Sequence, residues 1–289
     1  MGAGLFHKII DSSVGAFHYF IDSATQISKD NNYFYLVLNI SLACWVLEIL
    51  LPWRKEQKLF RKDFWLDAFY MLFNLFLFYI VGYAALSDIA VNLFNELLAS
   101  LNLENIVALK LYDSPAWLKY TVMFVVADFI HWNVHRLLHR VPFLWKFHKV
   151  HHSVKEMGFA AHLRFHWMEN VLYKSIQYIP LAMIGFGLDD FFLMHIVTIS
   201  IGHLNHSNLN LNYGPFKYLL NNPKMHIWHH AKHLPKGRYG VNFGISLSVW
   251  DYLFKTAYLP SDGKDIELGF EDDEKYPDSF VKQSLDPFK

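Results

Sequence analysis

Apolar positions along the chain fall into blocks too long and too uniform for ordinary surface helices. Residues 33–51 are apolar except for Asn39, Ser41 and Glu48, which predicts a helix able to cross a hydrocarbon core of about 30 Å. Residues 64–86 predict a second such helix, interrupted early by Asp67 and aromatic toward both rims, as interfacial belts are. Residues 116–139 predict a third, whose second half carries Asp128, His131, His135 and His139 and therefore has to face protein rather than lipid. The stretch 170–204 reads as an apolar hairpin broken near Gly185, Gly187, Asp189 and Asp190; it is short for two crossings of about 20 residues each, so it either spans or re-enters.

Two further segments alternate rather than run. In 88–109 leucines recur at helical spacing among Asp88, Asn92, Asn95, Glu96, Asn102 and Glu104, which predicts an amphipathic helix lying in the interface. Residues 1–30 place Leu5, Phe6, Ile9, Ile10 and Phe17 at amphipathic spacing instead of in a continuous apolar core, so no cleavable secretory signal is expected. From 207 onward the chain turns polar, with turn signals at 212–215 and 235–237 and an acidic end expected to be loose.

Charge then orients these blocks. Arg54, Lys55, Lys58, Arg61 and Lys62 crowd the short loop after the first block, and Arg136, Arg140, Lys146, Lys149 and Lys155 follow the third, whereas the loop 87–115 has Lys110 against several acids. Basic residues in short loops mark the cytoplasmic side, which puts loop 52–62, segment 140–168 and the tail on one face. Composition agrees: 53% of residues are hydrophobic and 18% charged, against about 25% charged in soluble domains. With 26 basic and 26 acidic side chains there is no excess field for nucleic acid, which is excluded as a partner.

Cys44 is the single cysteine, so neither a disulfide within the chain nor a multi-thiolate metal site is available. The anomaly is histidine, 17 residues of which 15 lie between 131 and 233, leaving only His7 and His18 outside. His135 and His139 stand at i, i+4 on one helical face, within reach of one ion. His148, His151 and His152 form His-x-x-His-His, and His226, His229 and His230 repeat it. Such a triplet can aim ligands at two ions a few Å apart, and this many imidazoles exceed the needs of one ion, which points to a dinuclear centre at the cytoplasmic helix ends. Imidazole alone does not name the metal. His195, inside the apolar hairpin, reads as a satisfied interior residue, while His162, His166 and His233 read as surface or supporting groups. Asp128 lies two turns before His135 on nearly the same face, where it could orient a ligand imidazole or serve a polar helix interface.

The ordered boxes carry a resemblance. Asp128-Phe-Ile-His-Trp-Asn-Val-His135-Arg-Leu-Leu-His139, His148-Lys-Val-His151-His152, Arg164-Phe-His166, His206-Ser-Asn208, His226-Ile-Trp-His229-His230 and the closing Asn242-Phe-Gly244 and Trp250-Asp-Tyr-Leu-Phe254-Lys-Thr256 together resemble the fatty acid hydroxylase and sterol desaturase superfamily over about residues 120–258. The resemblance implies an oxidoreductase in which His135, His139, His148, His151, His152, His226, His229 and His230 hold metal, with His206 as the extra ligand before the last box. It implies two Fe ions, with zinc as a possible substitute, O2 as co-substrate and a lipid C–H bond as the point of attack. Asp128 as a supporting carboxylate, His166 and His203 complete the candidate catalytic set. This sequence has Trp167 where many relatives have proline, and His131 where an aromatic residue is usual.

The expected fold is therefore all-α: a multi-pass transmembrane helical bundle with a cytoplasmic histidine-rich di-metal cap. Residues 1–115 would supply interfacial and transmembrane helices, 116–260 the hydroxylase-like catalytic region and 261–289 a polar C-terminal tail. The expected activity is O2-dependent hydroxylation or desaturation of an acyl chain, sterol or related lipid, in a bacterial inner membrane or the endoplasmic reticulum. Electrons would come from a separate donor of ferredoxin or cytochrome b5 type with its reductase, since no haem-ligand motif stands outside the boxes. Two alternatives use the same imidazoles: a zinc-dependent membrane hydrolase, although His-Glu-x-x-His is absent, and a carrier of haems ligated by paired histidines.

Overall fold

In the computed structural model the described residues are 2–26, 32–85, 96, 98–102, 111, 114–183, 186 and 188–289. Most of the interfacial helix expected over 88–109, and the Gly185 and Gly187 break, lie outside them. The described residues form helices and turns with no strand, only isolated bridges such as Pro52 with Leu209 and Ala231 with Leu268. The longer helices are α1 (Gly2–Thr25), α2 (Tyr33–Leu50), α3 (Phe64–Ala85), α4 (Ala116–Arg140), α5 (Pro142–His152), α6 (Trp167–Met183) and α7 (Leu188–His206). Short helices α8 (Pro223–His229), α9 (Val249–Leu253) and α10 (Phe280–Leu285) follow.

Helices α2, α3, α4, α6 and α7 surround one apolar core that includes Val37, Leu75, Phe78, Met123, Leu181 and Phe191. Of the described helices, α2 is long and apolar enough to cross a membrane, with a mean hydropathy of 1.8, and Phe64–Phe78 is a shorter apolar stretch. The remaining expected spans are diluted by polar groups, Asp128 and the histidines on α4, buried Glu169, Asn170 and Gln177 on α6, and exposed Asp189 and buried Asp190 on α7.

Proline sets the turn that matters most. Val141 precedes Pro142, and a residue before proline is driven out of the helical region; it takes φ −93°, ψ 114°, ending α4, while Pro142 opens α5. Proline is well tolerated at a first helical position because its missing N–H has no partner there in any case. The result is a sharp reversal that packs α5 back on α4 and faces two histidine-bearing helices at each other.

Three distant segments meet at this same end of the bundle. Glu48, near the end of α2, accepts the N–H groups of Phe159 at 2.8 Å and Asn208 at 2.7 Å, and Trp53 N–H donates to Asn208 O at 2.8 Å. Part of the basic loop expected to mark topology is thus internal glue. Arg54 donates to Met157 O at 3.1 Å, and Arg61 is buried against Asp67 at 2.6 Å, whose other oxygen lies 3.0 Å from Arg164. Gly158 lets the backbone lie directly on the Arg61 guanidinium, in space that a Cβ would occupy.

The acidic tail is docked, not loose. Asp273 is buried and paired with Lys155 and Lys232, Tyr70 Oη donates to Gln283 at 2.9 Å, and Phe280 packs edge-on against Phe69, Tyr70 and Phe73 of α3. Composition suggested a solvated segment; the carboxylate is instead neutralised by lysines from α5's flank and the loop after α8, and one phenylalanine anchors the short helix.

The carboxylate of Asp67 serves two guanidiniums that are both nearly inaccessible. Removing it in Asp67→Ala strands buried positive charge, and the expected cost is about 3–5 kcal/mol. Thermal unfolding in detergent measures this, and an unaltered Tm would show that the ion triad does not hold α3 to the 158–164 segment.

Candidate metal centre

The helices deliver their histidines to one buried region in two groups. His135 and His139 from α4, His148 and His152 from α5 and His229 from α8 form the first; His151 from α5, His206 from the end of α7 and His226 and His230 from α8 and its cap form the second. Within each group one ligand nitrogen per residue lies within 4.8 Å of all the others. All nine positions expected to hold metal are therefore brought together, and each His-x-x-His-His box is split. The i, i+4 pair of a box stays in one group and the middle histidine crosses to the other, because i+4 stacks on a helix face while i+3 points about 60° aside. The two boxes do this in opposite senses, so each group borrows one imidazole from the other's box.

The ring nitrogens fit metal coordination. His135 and His148 approach Nε2 to Nε2 at 3.2 Å, His152 and His229 at 3.1 Å, His206 and His226 at 2.9 Å, His226 and His230 at 3.2 Å, and His151 and His206 at 3.3 Å. Two nitrogens each about 2.1 Å from one ion stand roughly 3 Å apart at adjacent corners of its coordination sphere. Several outer nitrogens are fixed by acceptors: His135 Nδ1 by Phe243 O at 2.7 Å, His229 Nδ1 by Val241 O at 2.8 Å, His206 Nδ1 by Gly202 O at 2.7 Å and His148 Nδ1 by Glu169 at 2.8 Å. An Nδ1–H donating outward leaves the Nε2 lone pair facing inward, the tautomer a metal requires. His139 Nε2 is buried with no hydrogen-bond partner, an orphan that a cation in the first group would satisfy. Nitrogens so tightly converged leave no slot for a macrocycle between paired histidines, which removes the haem alternative.

Burial, followed by the repulsion of neighbouring imidazolium charge, holds His151, His152, His226 and His230 well below the ordinary histidine pKa, and burial takes His229 down to about 3. These rings are neutral at physiological pH. Protons therefore compete little with a metal for them.

Carboxylates stand behind the imidazoles. Glu169, in the first turn of α6, is buried against His148. It escaped sequence reasoning because a lone acid opening an apolar helix reads as a helix cap; its position three residues after His166 was the available signal. Asp251 accepts from Phe243 N–H at 2.9 Å, Gly244 N–H at 2.8 Å, Trp132 Nε1 at 3.0 Å and Thr256 Oγ1 at 2.6 Å. Burial pushes its carboxyl up from the usual value and these donors pull it back. Asp128 touches no imidazole: its oxygens accept from Ser246 N–H, Leu247 N–H and Trp250 Nε1 at 3.2, 3.3 and 2.9 Å. The two aspartates clamp the 241–250 loop, whose carbonyls of Val241 and Phe243 orient His229 and His135. Asp128 thus bears on His135 through backbone.

The other candidates separate. His203 is buried beside the second group, 2.9 Å from Ser41 Oγ and 3.2 Å from His162 Nδ1, and the His162 ring lies 5.0 Å from that of His206. Gly202 provides the room for the His162 ring. His166 lies outside both groups, with Nε2 donating to Ser284 O at 2.9 Å and Nδ1 accepting from Met168 N–H at 3.1 Å; both nitrogens are committed to holding the C-terminal segment and starting α6. His233 is exposed at the surface, and His195 is buried against Tyr33 and stacked on Phe78.

Two narrow cavities of about 50 Å³ each adjoin the centre. The inner one is lined by histidines of both groups, and His131, His162, Phe165, Asn170 and Ile245 border both. The outer one continues among Leu75, Phe78, Met123, Leu181, Phe191 and Ile199, so the centre opens into the apolar core of the bundle.

Residues 120–256 match the fatty acid hydroxylase family. An ornithine lipid hydroxylase of Rhizobium tropici is 34% identical over 164 residues, covering 57% of this chain and 48% of that protein. Human alkylglycerol monooxygenase is 31% identical over 149 residues, covering 50% of this chain and 31% of its own length. A very-long-chain aldehyde decarbonylase of rice is 25% identical over 146 residues, covering 47% and 22%. The chain thus spans about half or less of the length of these curated relatives. No solved structure matches it.

Glu169→Gln keeps an oxygen beside His148 but loses the charge that fixes the ring's N–H. It is expected to weaken metal binding about 10- to 100-fold in a chelator competition, with thermal stability little altered. Equal affinity in the variant and the parent protein would reduce Glu169 to a packing residue.

Proposed function

Starting from the match of residues 120–256 to the fatty acid hydroxylase family, we propose that this protein is an O2-dependent, di-iron membrane oxygenase acting on a C–H bond of a lipid. The observation that carries this reading is the juxtaposition of two buried all-imidazole groups with a cavity that becomes apolar away from them. A hydrolase needs a general base beside its water; here Glu169, the carboxylate against His148, sits on that ring's outer nitrogen, facing away from the converging nitrogens. A C–H oxidation needs the reverse, a dry site and an alkyl group beside it.

His135, His139, His148, His152 and His229 would hold one iron and His151, His206, His226 and His230 the other. When bound, the two ions supply the redox capacity for reducing O2. Hydroxylation consumes R–H, O2, two electrons and two protons and yields R–OH and water; desaturation takes a second hydrogen from the neighbouring carbon and yields an alkene and two waters. The protein's own residues divide the remaining work. Asp128 and Asp251 hold the loop that orients His135 and His229, and Glu169 orients His148. Phe165 and Ile245 border both cavities, where they would limit what reaches the centre to a slender chain.

The lipid enters from a bilayer. Leu42, Val46, Leu47, Ile49 and Leu50 of α2 and Phe69 and Leu72 of α3 present exposed apolar surface, which suits lipid and is costly in water. We assign α2, α3, α4 and the α6–α7 pair to a multi-pass bundle whose histidine-bearing end faces the cytoplasm, in keeping with the basic residues gathered there.

Anaerobically purified protein is expected to hold two irons per chain and, with O2 and reductant, to place one atom of ¹⁸O2 in a hydroxylated lipid or to form an alkene, read by mass spectrometry. His229→Ala is expected to lose metal and at least 100-fold in turnover, since water does not reproduce an oriented imidazole. Full turnover in that variant, or hydrolysis products instead of oxidised ones, would sink the reading. For topology, cysteines placed at Lys58 and at Asp262 after replacement of Cys44 are expected to react with an impermeant maleimide from the same side; labelling from opposite sides refutes the arrangement.

A further inference from the structure

Two stretches that carry histidines of the five-histidine group or follow directly on them are basic without acids. Residues 129–155 contain Arg136, Arg140, Lys146, Lys149 and Lys155 and no carboxylate, and residues 232–241 add Lys232, Lys236 and Arg238, again with none. Lys155 is bound to Asp273, Lys232 is bound to Glu267, Asp273 and Glu274, and Lys146 reaches the main-chain oxygen of Lys289 at 3.4 Å. Arg238 lies 5.7 Å from the Tyr258 ring centre, while Arg136, Arg140 and Lys149 gather around an aromatic rim. Arg136 donates to Tyr239 Oη at 3.3 Å, Arg140 lies 5.8 Å from the Tyr239 ring centre, and Lys149 lies 5.5 Å from that of Phe270.

Beneath this rim the metal centre comes nearest to solvent. Of the nine histidines, His139 alone is only partly buried. Trp145, also partly exposed, sets its ring 5.0 Å from His139, 5.2 Å from His152 and 6.0 Å from Phe270. The four-histidine group has no such outlet, since all its members are buried. The other sizeable hollow on this side has Glu56, Glu156 and Asp265 interleaved with Lys55, Lys155 and Lys264, so its field largely cancels.

Resting on the oxygenase reading, we propose that the basic rim around Tyr239 and Trp145 is the docking and electron-entry face for an acidic one-electron carrier protein. Each turnover needs two electrons; a one-electron carrier docks twice, is itself oxidised by one electron each time, and passes that electron inward past Trp145 and His139. An acidic carrier is the occupant that the charge selects, because complementary potentials steer association and raise its rate. Rim charges of this kind act on association and on its salt dependence more than on the bound complex.

The probes are a plant-type [2Fe–2S] ferredoxin and the soluble domain of cytochrome b5, each with its reductase, added to the detergent-solubilised full chain. For whichever carrier supports turnover, the double variant Arg140→Glu/Lys149→Glu is expected to raise its KM and its Kd, read by calorimetry, at least 10-fold. The salt dependence should flatten, with kcat at saturation and dithionite-driven turnover unaltered. Trp145→Leu is expected to slow carrier-driven reduction with the carrier's Kd unchanged. Charge reversal at Lys58 and Lys62, on the other basic loop, is expected to leave KM within twofold. The proposal is overturned if the rim variant leaves KM and Kd alone, or if the Lys58/Lys62 variant raises them equally. It is also overturned if neither carrier binds a protein that dithionite makes active, or if the rim variant loses only binding to phosphatidylserine vesicles, which would make the rim a membrane contact. A protein that binds a carrier through the rim yet oxidises no lipid under dithionite and O2 would instead count against the oxygenase reading.

Discussion

Nine imidazoles, eight of them buried, converge on one small volume, and the rest of this end of the protein is arranged around that convergence. In His135 and His148, whose Nδ1 groups both donate outward, the two inward lone pairs 3.2 Å apart repel one another and find no donor between them. A cation removes the conflict at a stroke. The folded cap is therefore built in anticipation of charge, and binding free energy of a metal is in part folding free energy.

Holding the lone pairs inward requires acceptors outside, and these come from elements that have no metal-binding appearance in the sequence. The carbonyls of Val241 and Phe243 belong to a loop with no regular structure, with Asn242 in the left-handed region at φ 52°. Such a loop keeps its shape only because Asp251 and Asp128 each accept several of its donors, and because Asn242 donates to Met225 O and Tyr258 O at 2.8 and 2.7 Å. Rigidity is transmitted from two buried carboxylates, through backbone, to His135 and His229. This is the support that keeps first ligands within the small tolerance that metal chemistry allows.

The same end of the bundle also has to stay closed. Glu48 ties α2 to the 158–163 turn and to the end of α7, and Asp67 ties α3 to Arg61 and Arg164. Both are single carboxylates bridging segments about 100 or more residues apart, so the cap is laced to the apolar helices at a few buried points. Between those points the inner cavity borders the apolar core, the side from which an apolar ligand would approach the centre.

The sequence by itself determined the local features. Apolar blocks, the Pro142 break and the i, i+4 spacing of His135 with His139 are properties of a few neighbouring residues, and helix geometry converts them directly into faces and ends. The two His-x-x-His-His boxes were legible for the same reason, whereas His206 entered only through the family resemblance. The partition into five and four was not, because it depends on how α5 and α8 face each other across the pocket. Glu169 joins His148 across 21 residues, and Phe243 joins His135 across 108; no spacing rule relates such pairs. The acidic tail misled because composition registers its charges but not the lysines that neutralise Asp273. Only the tertiary structure decided which polar groups are solvated and which are partners, since that choice rests on contacts between elements and not on any one of them.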